Sequence, residues 1–176
     1  MYIDSQKAQE QAVLNLAYSI CAAARTAPKA RGADHMDTAI LTGEDKQRLA
    51  DEMRRLCEQV SMPFFVRDAG NVEKSDAIVL VGIRRSTRAM EKACMLCGFS
   101  GCDDCSANGA LCIFTGIDLG IALGSAVALA SDNRVDNRIM YSIGKAAVTL
   151  GLLSECDIIV GIPLSVSGKS PYFDRA

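Results

Sequence analysis

Four cysteines lie within twelve residues of this chain, as two Cys-x-x-Cys pairs separated by four residues. They are Cys94, Cys97, Cys102 and Cys105. Closely spaced thiolates repel one another unless a cation neutralises them, so a reduced cluster of this density indicates a metal centre. We therefore predict a cysteine-rich metal-binding insert over residues 91–112, with these four side chains as its ligands.

The spacing of the cysteines leaves the identity of the metal open. Gly98 follows the second cysteine and Gly101 precedes the third, and glycines let the main chain fold closely around an inorganic core. Ferredoxin-type iron–sulfur sites concentrate their cysteines in sequence, although this interval differs from the common bacterial pattern. Four thiolates also hold zinc, usually with a longer interval between the pairs. A third interpretation is a thiol sensor whose pairs oxidise to disulfides.

Four further cysteines lie outside these pairs. Cys112 is either a spare ligand or a small core residue, and its apolar surroundings favour the second. Cys21, Cys57 and Cys156 fall on apolar faces of predicted helices and strands, where a free cysteine behaves as a modest hydrophobe. We assign no function to these three.

The length and charge of the chain exclude several classes of protein. A chain of 176 residues is most simply one domain, here residues 1–176, and its net charge of -2 argues against nucleic acid as a partner. The N-terminus lacks the basic start and apolar run of a signal peptide. Asp118 interrupts the apolar stretch 110–130, so no charge-free run reaches the roughly 18 residues of a membrane span. We expect a cytoplasmic protein without a membrane partner.

Apolar periodicity predicts helices over residues 5–25, 43–60, 118–130 and 136–150. Strands are predicted over residues 36–41, 63–67, 76–83 and 156–164, with a turn at residues 68–71 and a polar tail over residues 165–176. The third strand is apolar throughout, which indicates that both of its faces are covered. This order of elements predicts an α+β fold in which helices pack on a sheet of four to five strands.

A basic loop follows the first helix. Arg25, Lys29 and Arg31 surround Pro28, and such a loop at a helix–strand junction can bind a phosphate group. A solvated charged turn explains the same residues equally well. Residues 84–88 (RRSTR) directly follow the most apolar strand and form a second candidate for binding an anion.

Over its whole length the chain resembles a prokaryotic family of uncharacterised proteins described as ferredoxin domain-containing. Four segments carry the resemblance: residues 24–32 (ARTAPKARG), the cysteine cluster 94–105, residues 136–138 (DNR) and residues 161–165 (GIPLS). The resemblance implies that the four clustered cysteines bind an iron–sulfur cluster.

The order of elements is also similar, more distantly, to the flavin-dependent nitroreductase fold. In that family an Ala-Pro loop touches the flavin, here Ala27 and Pro28, and an Asn precedes an apolar strand, here Asn71. A central helix begins Asp-x-Gly-Ile-Ala, here residues 118–122. A Gly-Leu helix end, here 151–152, precedes a strand that closes in Gly-x-Pro, here 161–163. This resemblance implies a central, mostly antiparallel sheet and a homodimer, with the apolar helix 118–130 as the candidate dimer interface.

Two departures from the nitroreductase pattern concern the flavin. That family opens with an Arg-Arg-Ser-x-Arg segment that grips the flavin phosphate, which is missing from this N-terminus, and its Ala-Pro-Ser-x-x-Asn loop has lost the serine and the asparagine. Despite these departures, the resemblance implies an FMN site at Arg25, Ala27, Pro28, Lys29 and Arg31. In this site the three cations would compensate for the missing groups.

These observations together predict a cytoplasmic redox protein with a four-cysteine iron–sulfur centre. The centre would transfer electrons to a flavin, a small substrate or a partner protein in a nitroreductase-like cleft. The alternatives are a non-enzymatic domain with a structural zinc site and the thiol-based sensor. The sequence identifies no catalytic acid or base, so it leaves open whether the protein is an enzyme.

Overall fold

An antiparallel sheet runs through the middle of the computed structural model, which describes residues 1–173. In this part of the chain the sheet has four strands in the order β1-β2-β4-β3, and every neighbouring pair is antiparallel. The strands are β1 (Met36–Leu41), β2 (Ala77–Ile83), β3 (Asp136–Asn137) and β4 (Ile158–Ser165). The helices are α1 (Ser5–Thr26), α2 (Gly43–Val60), α3 (Phe64–Lys74), α4 (Cys102–Ala107), α5 (Ile113–Asp132) and α6 (Tyr141–Thr149).

Each face of the sheet carries its own hydrophobic core. Helices α1 and α5 cover one face, and α2, α3 and α6 cover the other. Along β2, Val79 and Val81 belong to the first core, whereas Ile78 and Leu80 belong to the second. This alternation follows from the pleat of a strand. Each fully buried aliphatic side chain contributes about 1.5–3 kcal/mol to stability. Since β2 supplies such side chains to both faces of the sheet, both cores depend on this strand.

Most of the predicted elements are confirmed. Strand β1 and helix α2 have the predicted bounds, and α1 and β2 each differ from the prediction by one residue at one end. All of β2 is buried, as its continuous apolar sequence predicted. Helix α5 begins at Ile113 rather than residue 118, and β4 at Ile158 rather than residue 156. The last three residues of the predicted polar tail, 174–176, lie outside the described part of the chain.

The strand and the turn predicted between residues 63 and 71 are wrong. Residues 64–71 belong to helix α3, and residue 63 is the position immediately before it. Pro63 immediately precedes the helix, a position that needs no N–H donor. Three buried apolar residues recur at helical spacing along the helix: Phe65, Ala69 and Val72. The buried carboxylate of Asp68 accepts a hydrogen bond from the Ser142 hydroxyl at 2.6 Å. Such tertiary contacts outweigh the weak helix propensity of the residues that indicated a turn.

The helix predicted over residues 136–150 begins later, at Tyr141. Asp136 and Asn137 are weak helix formers and instead pair as β3 with the end of β4. The backbone of Met140 then exchanges two hydrogen bonds with Gly161, at 2.8 and 3.1 Å. The chain before α6 is therefore part of the edge of the sheet.

Helix α5 is long and apolar enough to span a membrane by length and composition. In the described part of the chain, however, it packs against α1, and seven of its residues are buried. One of the seven is a charged residue, Asp118. We therefore interpret α5 as the core helix of a globular domain.

A buried ion pair connects α5 to the chain that follows β2. The Arg88 and Asp118 side chains are 0% and 1% exposed, and the Arg88 Nη2 lies 2.7 Å from the Asp118 Oδ2. The other carboxylate oxygen of Asp118 accepts a hydrogen bond from the Ala30 N–H at 3.0 Å. Arg88 also donates from Nη1 to the Ser86 carbonyl oxygen at 2.9 Å. One carboxylate therefore joins the loop after α1, the segment after β2 and the core helix.

We predict that Gly144→Ala strongly destabilises the fold. A Cβ at this position of α6 would lie 1.6 Å from the Ile159 carbonyl oxygen of β4, so the helix would have to move away from the sheet. We expect the free energy of unfolding, measured by urea denaturation, to fall by about 3 kcal/mol or more. The control is Gly70→Ala in α3, where a Cβ meets nothing within 4 Å and should stabilise the helix by up to about 1 kcal/mol. Equal effects at both glycines would contradict the packing of α6 on β4.

We predict that Asp118→Asn lowers the free energy of unfolding by about 3–5 kcal/mol, because it leaves the buried Arg88 guanidinium without its carboxylate. The control is Asp51→Asn, which removes the more distant of the two carboxylates around Arg54, an exposed contact at 3.6 Å, and leaves Glu73 paired at 2.7 Å; it should cost less than about 1 kcal/mol. Thermal and urea unfolding of both variants test the comparison. A loss at Asp118 no larger than that at Asp51 would show that the pair is not required.

Candidate functional site

The predicted cysteine insert lies in the connection between β2 and α5, residues 84–112. Its first cysteine pair, Cys94 and Cys97, belongs to a tight turn in which the Gly98 N–H donates to the Met95 carbonyl oxygen at 3.1 Å. Gly98 has a φ of 84°, a conformation that glycine adopts without strain. The glycine after the second cysteine therefore permits the bend that the sequence analysis expected there.

The second cysteine pair lies on α4. Cys102 and Cys105 are three residues apart in this short helix, a spacing that places both side chains on one face. The Cys102 N–H donates to the Glu91 Oε2 at 3.0 Å, which ties α4 to the chain before the first pair. A Cβ at Gly101 would lie 2.9 Å from the same Glu91 oxygen. Glycine at position 101 therefore leaves room for the end of the Glu91 side chain.

Asp104 organises the bend between the two pairs. Its carboxylate accepts hydrogen bonds from the Ser100 N–H at 3.0 Å and from the Ser100 hydroxyl at 2.9 Å. These bonds, that of the backbone N–H first, lower the pKa of Asp104 below its ordinary value. Asp104 therefore has a local structural role in the insert.

Five cysteines line one cavity between the insert and the start of α5. They are the four predicted ligands, Cys94, Cys97, Cys102 and Cys105, and in addition Cys112. Cys105 is fully buried, Cys112 is 6% exposed, and the other three are half-buried. The enclosed space is about 10 Å³, roughly the room that one water molecule needs. The structure therefore brings the predicted ligands together and adds a fifth thiol that the spacing did not indicate.

The side chains in this cavity do not already form a coordination shell. Within residues 1–173, no three His, Cys, Asp or Glu side chains stand in the arrangement of a metal site. The donor set itself fits a metal, because thiolates are the ligands that zinc and iron–sulfur clusters use in proteins. A single ion fits the enclosed volume, whereas a cluster would require the cavity to widen.

The buried Cys105 thiol responds to its surroundings in the cavity. Burial raises the pKa of the Cys105 thiol, and the neighbouring thiols of Cys97, Cys112 and Cys102 raise it further. A thiolate at this position is therefore disfavoured while only other thiols surround it. A bound cation reverses this effect, because its positive charge stabilises each coordinating thiolate.

The five residues predicted to bind FMN lie at the end of α1 and in the loop that follows. Ala27 is buried and Pro28 is exposed. The Lys29 ammonium donates to the carbonyl oxygens of Arg25 at 2.5 Å and of Ala27 at 3.0 Å, so it caps the C-terminus of α1. Positive charge at a helix C-terminus is favourable, which explains this arrangement without a ligand.

The two arginines of this loop also contact the protein. Arg25 lies 2.6 Å from the Asp34 carboxylate through Nε and donates from Nη1 to the Met36 carbonyl oxygen at 2.5 Å. Arg31 donates from Nη1 to the carbonyl oxygens of Arg88 at 2.9 Å and of Ala89 at 2.8 Å. Arg88 also lines the cysteine cavity. The basic loop and the cysteine insert are therefore adjacent.

The second predicted anion-binding segment, residues 84–88, is engaged within the protein as well. Arg84 pairs with Asp37 at 2.7 Å, and the Arg85 Nη1 donates to the Gly109 carbonyl oxygen at 2.7 Å. Arg88 is the buried partner of Asp118. A sequence signal for this pair exists, because a lone carboxylate in an apolar helix requires a partner.

The sequence matches the family described as "Uncharacterized protein containing a ferredoxin domain (DUF2148)" over residues 108–175. Of the five cavity cysteines, only Cys112 lies in the matched segment. A protein of Archaeoglobus fulgidus described as "Uncharacterized protein" is 39% identical over 184 residues, an alignment that covers 100% of this chain and 98% of the relative.

Several solved structures are similar to this chain in fold. Nitroreductase A from Vibrio parahaemolyticus has a TM-score of 0.57 at 13% identity, covering 100% of this chain and 64% of its own. A putative nitroreductase in complex with FMN from Desulfovibrio desulfuricans has a TM-score of 0.57 at 11% identity, with coverages of 100% and 81%. A nitroreductase with bound FMN from Desulfitobacterium hafniense has a TM-score of 0.59 at 13% identity, with coverages of 88% and 78%.

These likenesses confirm the predicted fold class, a nitroreductase-like α+β fold. At such low identities they show the fold alone. The archaeal relative, by contrast, is similar over the whole length of both chains. The chain therefore belongs to the family of uncharacterised proteins described as containing a ferredoxin domain.

Proposed function

We propose that this protein is a cytoplasmic redox protein whose cysteine insert holds an iron–sulfur centre. The ligands come from the cysteines that line the cavity, of which Cys94, Cys97, Cys102 and Cys105 form the set predicted from spacing. When bound, such a centre supplies electron transfer. The electrons would pass to a flavin, a small substrate or a partner protein.

The observation that carries this proposal is the convergence of five thiols on one cavity. A core that merely buried small apolar residues would not place five cysteines of one connection side by side. Burial, together with the neighbouring thiols, raises the pKa of Cys105, so its uncharged form is favoured there without a cation. A metal removes this penalty, since a coordinating thiol is deprotonated outright.

The nearby basic loop supports a second cofactor, FMN, as part of the same proposal. Two of the similar structures are described as binding FMN. In this chain the proposed contacts are Arg25, Ala27, Pro28, Lys29 and Arg31. Both hydrogen bonds that Arg31 makes within residues 1–173 use its Nη1, which leaves its other N–H groups to an anion.

The position of Arg88 connects the two proposed sites. Its side chain lines the cysteine cavity, and its carbonyl oxygen accepts a hydrogen bond from Arg31 of the basic loop. A cofactor at the basic loop would therefore lie next to the cysteine insert. Short separation is what electron transfer between the two sites requires.

A structural zinc site is the second candidate function, and the size of the cavity favours it. The enclosed volume of about 10 Å³ is close to the room that one ion needs, so the cavity thiols would have to converge on it only locally. Four thiolates satisfy the tetrahedral coordination of zinc. In this case the insert would stabilise the fold and transfer no electrons.

We further propose that the protein is a homodimer formed through α5. Ile113, Ile117 and Ile121 are spaced four residues apart on one face of this helix, and each is 41% exposed. The interspersed Gly116 and Gly120 have open space around them, so a second helix can approach closely. A contiguous apolar face of this kind is typical of a protein–protein interface.

We predict that anaerobically purified protein absorbs visible light and contains about four iron and four sulfide per chain, as expected for a four-iron cluster. Cys105→Ser should remove most of the iron, because Cys105 is the most buried thiol of the cavity. Cys57→Ser is the matched control, since the Cys57 thiol faces the Met62 carbonyl oxygen at 3.3 Å, away from the insert. Flavin released on denaturation of the same samples tests for FMN.

The metal content of the wild-type protein separates the two candidates. One zinc per chain, a colourless solution and unfolding on chelation would replace the iron–sulfur proposal by the structural zinc site. Wild-type protein that binds neither metal under reducing conditions would reject both candidates.

We predict that Ile117→Lys converts the dimer to a monomer, because it places a charge in the centre of the apolar face of α5. Light scattering coupled to size-exclusion chromatography measures the mass directly. Val148→Lys is the control, since Val148 is 48% exposed on α6, on the other side of the sheet. A monomeric wild-type protein at micromolar concentration would rule out this interface.

A further inference from the structure

We propose that Cys112 is a ligand of the metal centre, and that Cys97, Cys102, Cys105 and Cys112 form the ligand set while Cys94 stays at the rim. This inference depends on the proposed metal centre and goes beyond it by naming the ligands. Four thiolates complete either a zinc site or a cubane cluster, so one of the five cavity cysteines is not required. The structure indicates which one.

The first step is that Cys112 is fixed on the core side of the cavity. It immediately precedes α5 and is 6% exposed. Its carbonyl oxygen accepts a hydrogen bond from the Thr115 N–H at 2.9 Å, and the Thr115 hydroxyl donates to the Ser86 carbonyl oxygen at 3.1 Å. The backbone around Cys112 is therefore anchored to both ends of the connection between β2 and α5.

The second step is that the chain folds back after α4 and brings Cys112 towards Cys105. Gly109 has a φ of 62°, which allows the chain to reverse at this point. The Ala110 N–H then donates to the Cys105 carbonyl oxygen at 3.0 Å, and the Cys105 Sγ lies 3.8 Å from the Ala110 carbonyl oxygen. Two residues later Cys112 lines the same cavity as Cys105.

The third step concerns Cys94, which has weaker anchors. It follows a single short 3-10 turn, residues Glu91–Ala93, and its N–H bond to the Glu91 carbonyl oxygen is long at 3.3 Å. Cys97, by contrast, lies inside the turn that the Gly98 N–H closes on the Met95 carbonyl oxygen at 3.1 Å. Cys94 is therefore the less firmly positioned of the two cysteines in this part of the insert.

This proposed ligand set would attach the metal differently from the two Cys-x-x-Cys pairs. Coordination by Cys112 attaches the centre directly to the start of α5, the helix whose Asp118 carboxylate binds Arg88. The metal would then be held against the core rather than in an external loop. Release of a proton from each of the four thiols accompanies metal binding.

The test compares Cys112→Ser and Cys94→Ser in the full chain, purified anaerobically. Metal and sulfide per chain and the spectrum of the reduced centre are the readouts. We expect Cys112→Ser to weaken metal binding by roughly tenfold or more, at least the effect of losing an outer-shell contact, and Cys94→Ser to retain the metal. Cys57→Ser serves as the control outside the cavity.

Alkylation of the wild-type protein gives a second readout that requires no variant to fold. With metal bound, we expect Cys94 to react with iodoacetamide while Cys97, Cys102, Cys105 and Cys112 are protected. Removal of the metal with a chelator should expose the half-buried Cys97 and Cys102. Mass spectrometry of the peptides identifies the labelled residues.

The inference would be overturned by protection of Cys94 in the loaded protein, or by full metal content and an unchanged spectrum in Cys112→Ser. In either case the metal centre itself would stand, with the ligands predicted from spacing. Wild-type protein without metal would instead reject the proposed function, and the inference with it.

Discussion

The Arg88–Asp118 ion pair is the interaction on which the arrangement of the site depends. Both side chains are withdrawn from water, so each charge is tolerated only because the other is present and because further hydrogen bonds satisfy it. The partners of the pair are backbone groups of Ala30 and Ser86, which belong to two separate loops. Three segments that are distant in sequence therefore converge at one carboxylate, and they are the segments that carry both proposed sites.

The residues that stabilise the fold are distinct from those that form the proposed metal site. The two cores on either side of β2 consist mainly of aliphatic side chains, and none of the five cavity cysteines belongs to the sets of residues that form them. The insert instead rests on α5 through short polar contacts such as that between Thr115 and Ser86. Ligands can therefore rearrange around a metal without a change in the packing of the sheet, since loops of few apolar contacts open at low cost.

The sequence predicted those parts of the structure in which one local signal dominates. Strand β1 and helix α2 were placed correctly because their apolar periodicity is regular. The spacing of the four paired cysteines predicted that they lie close together, and all four line one cavity, whereas their role as ligands stays a prediction. Helix α3 was missed since its buried Asp68 needs a partner on α6, a contact that no local pattern encodes. For Cys112 the sequence left two interpretations open, a spare ligand or a small core residue, because its approach to Cys105 depends on a chain reversal that no local spacing encodes.

The family description and the geometry bear on different cysteines. The segment matched to the ferredoxin-containing family begins at residue 108, beyond both Cys-x-x-Cys pairs, yet it includes Cys112, Asp118 and the whole of α5. This segment contributes to the cavity the Cys112 thiol, immediately before the core helix, and the Ile113 side chain, together with the carboxylate that holds Arg88. In the proposed centre, a ligand at the start of α5 would fix the metal relative to the sheet, while the insert would supply the remaining sulfurs. The position of such a centre would then depend on the nitroreductase-like core and not on the insert alone.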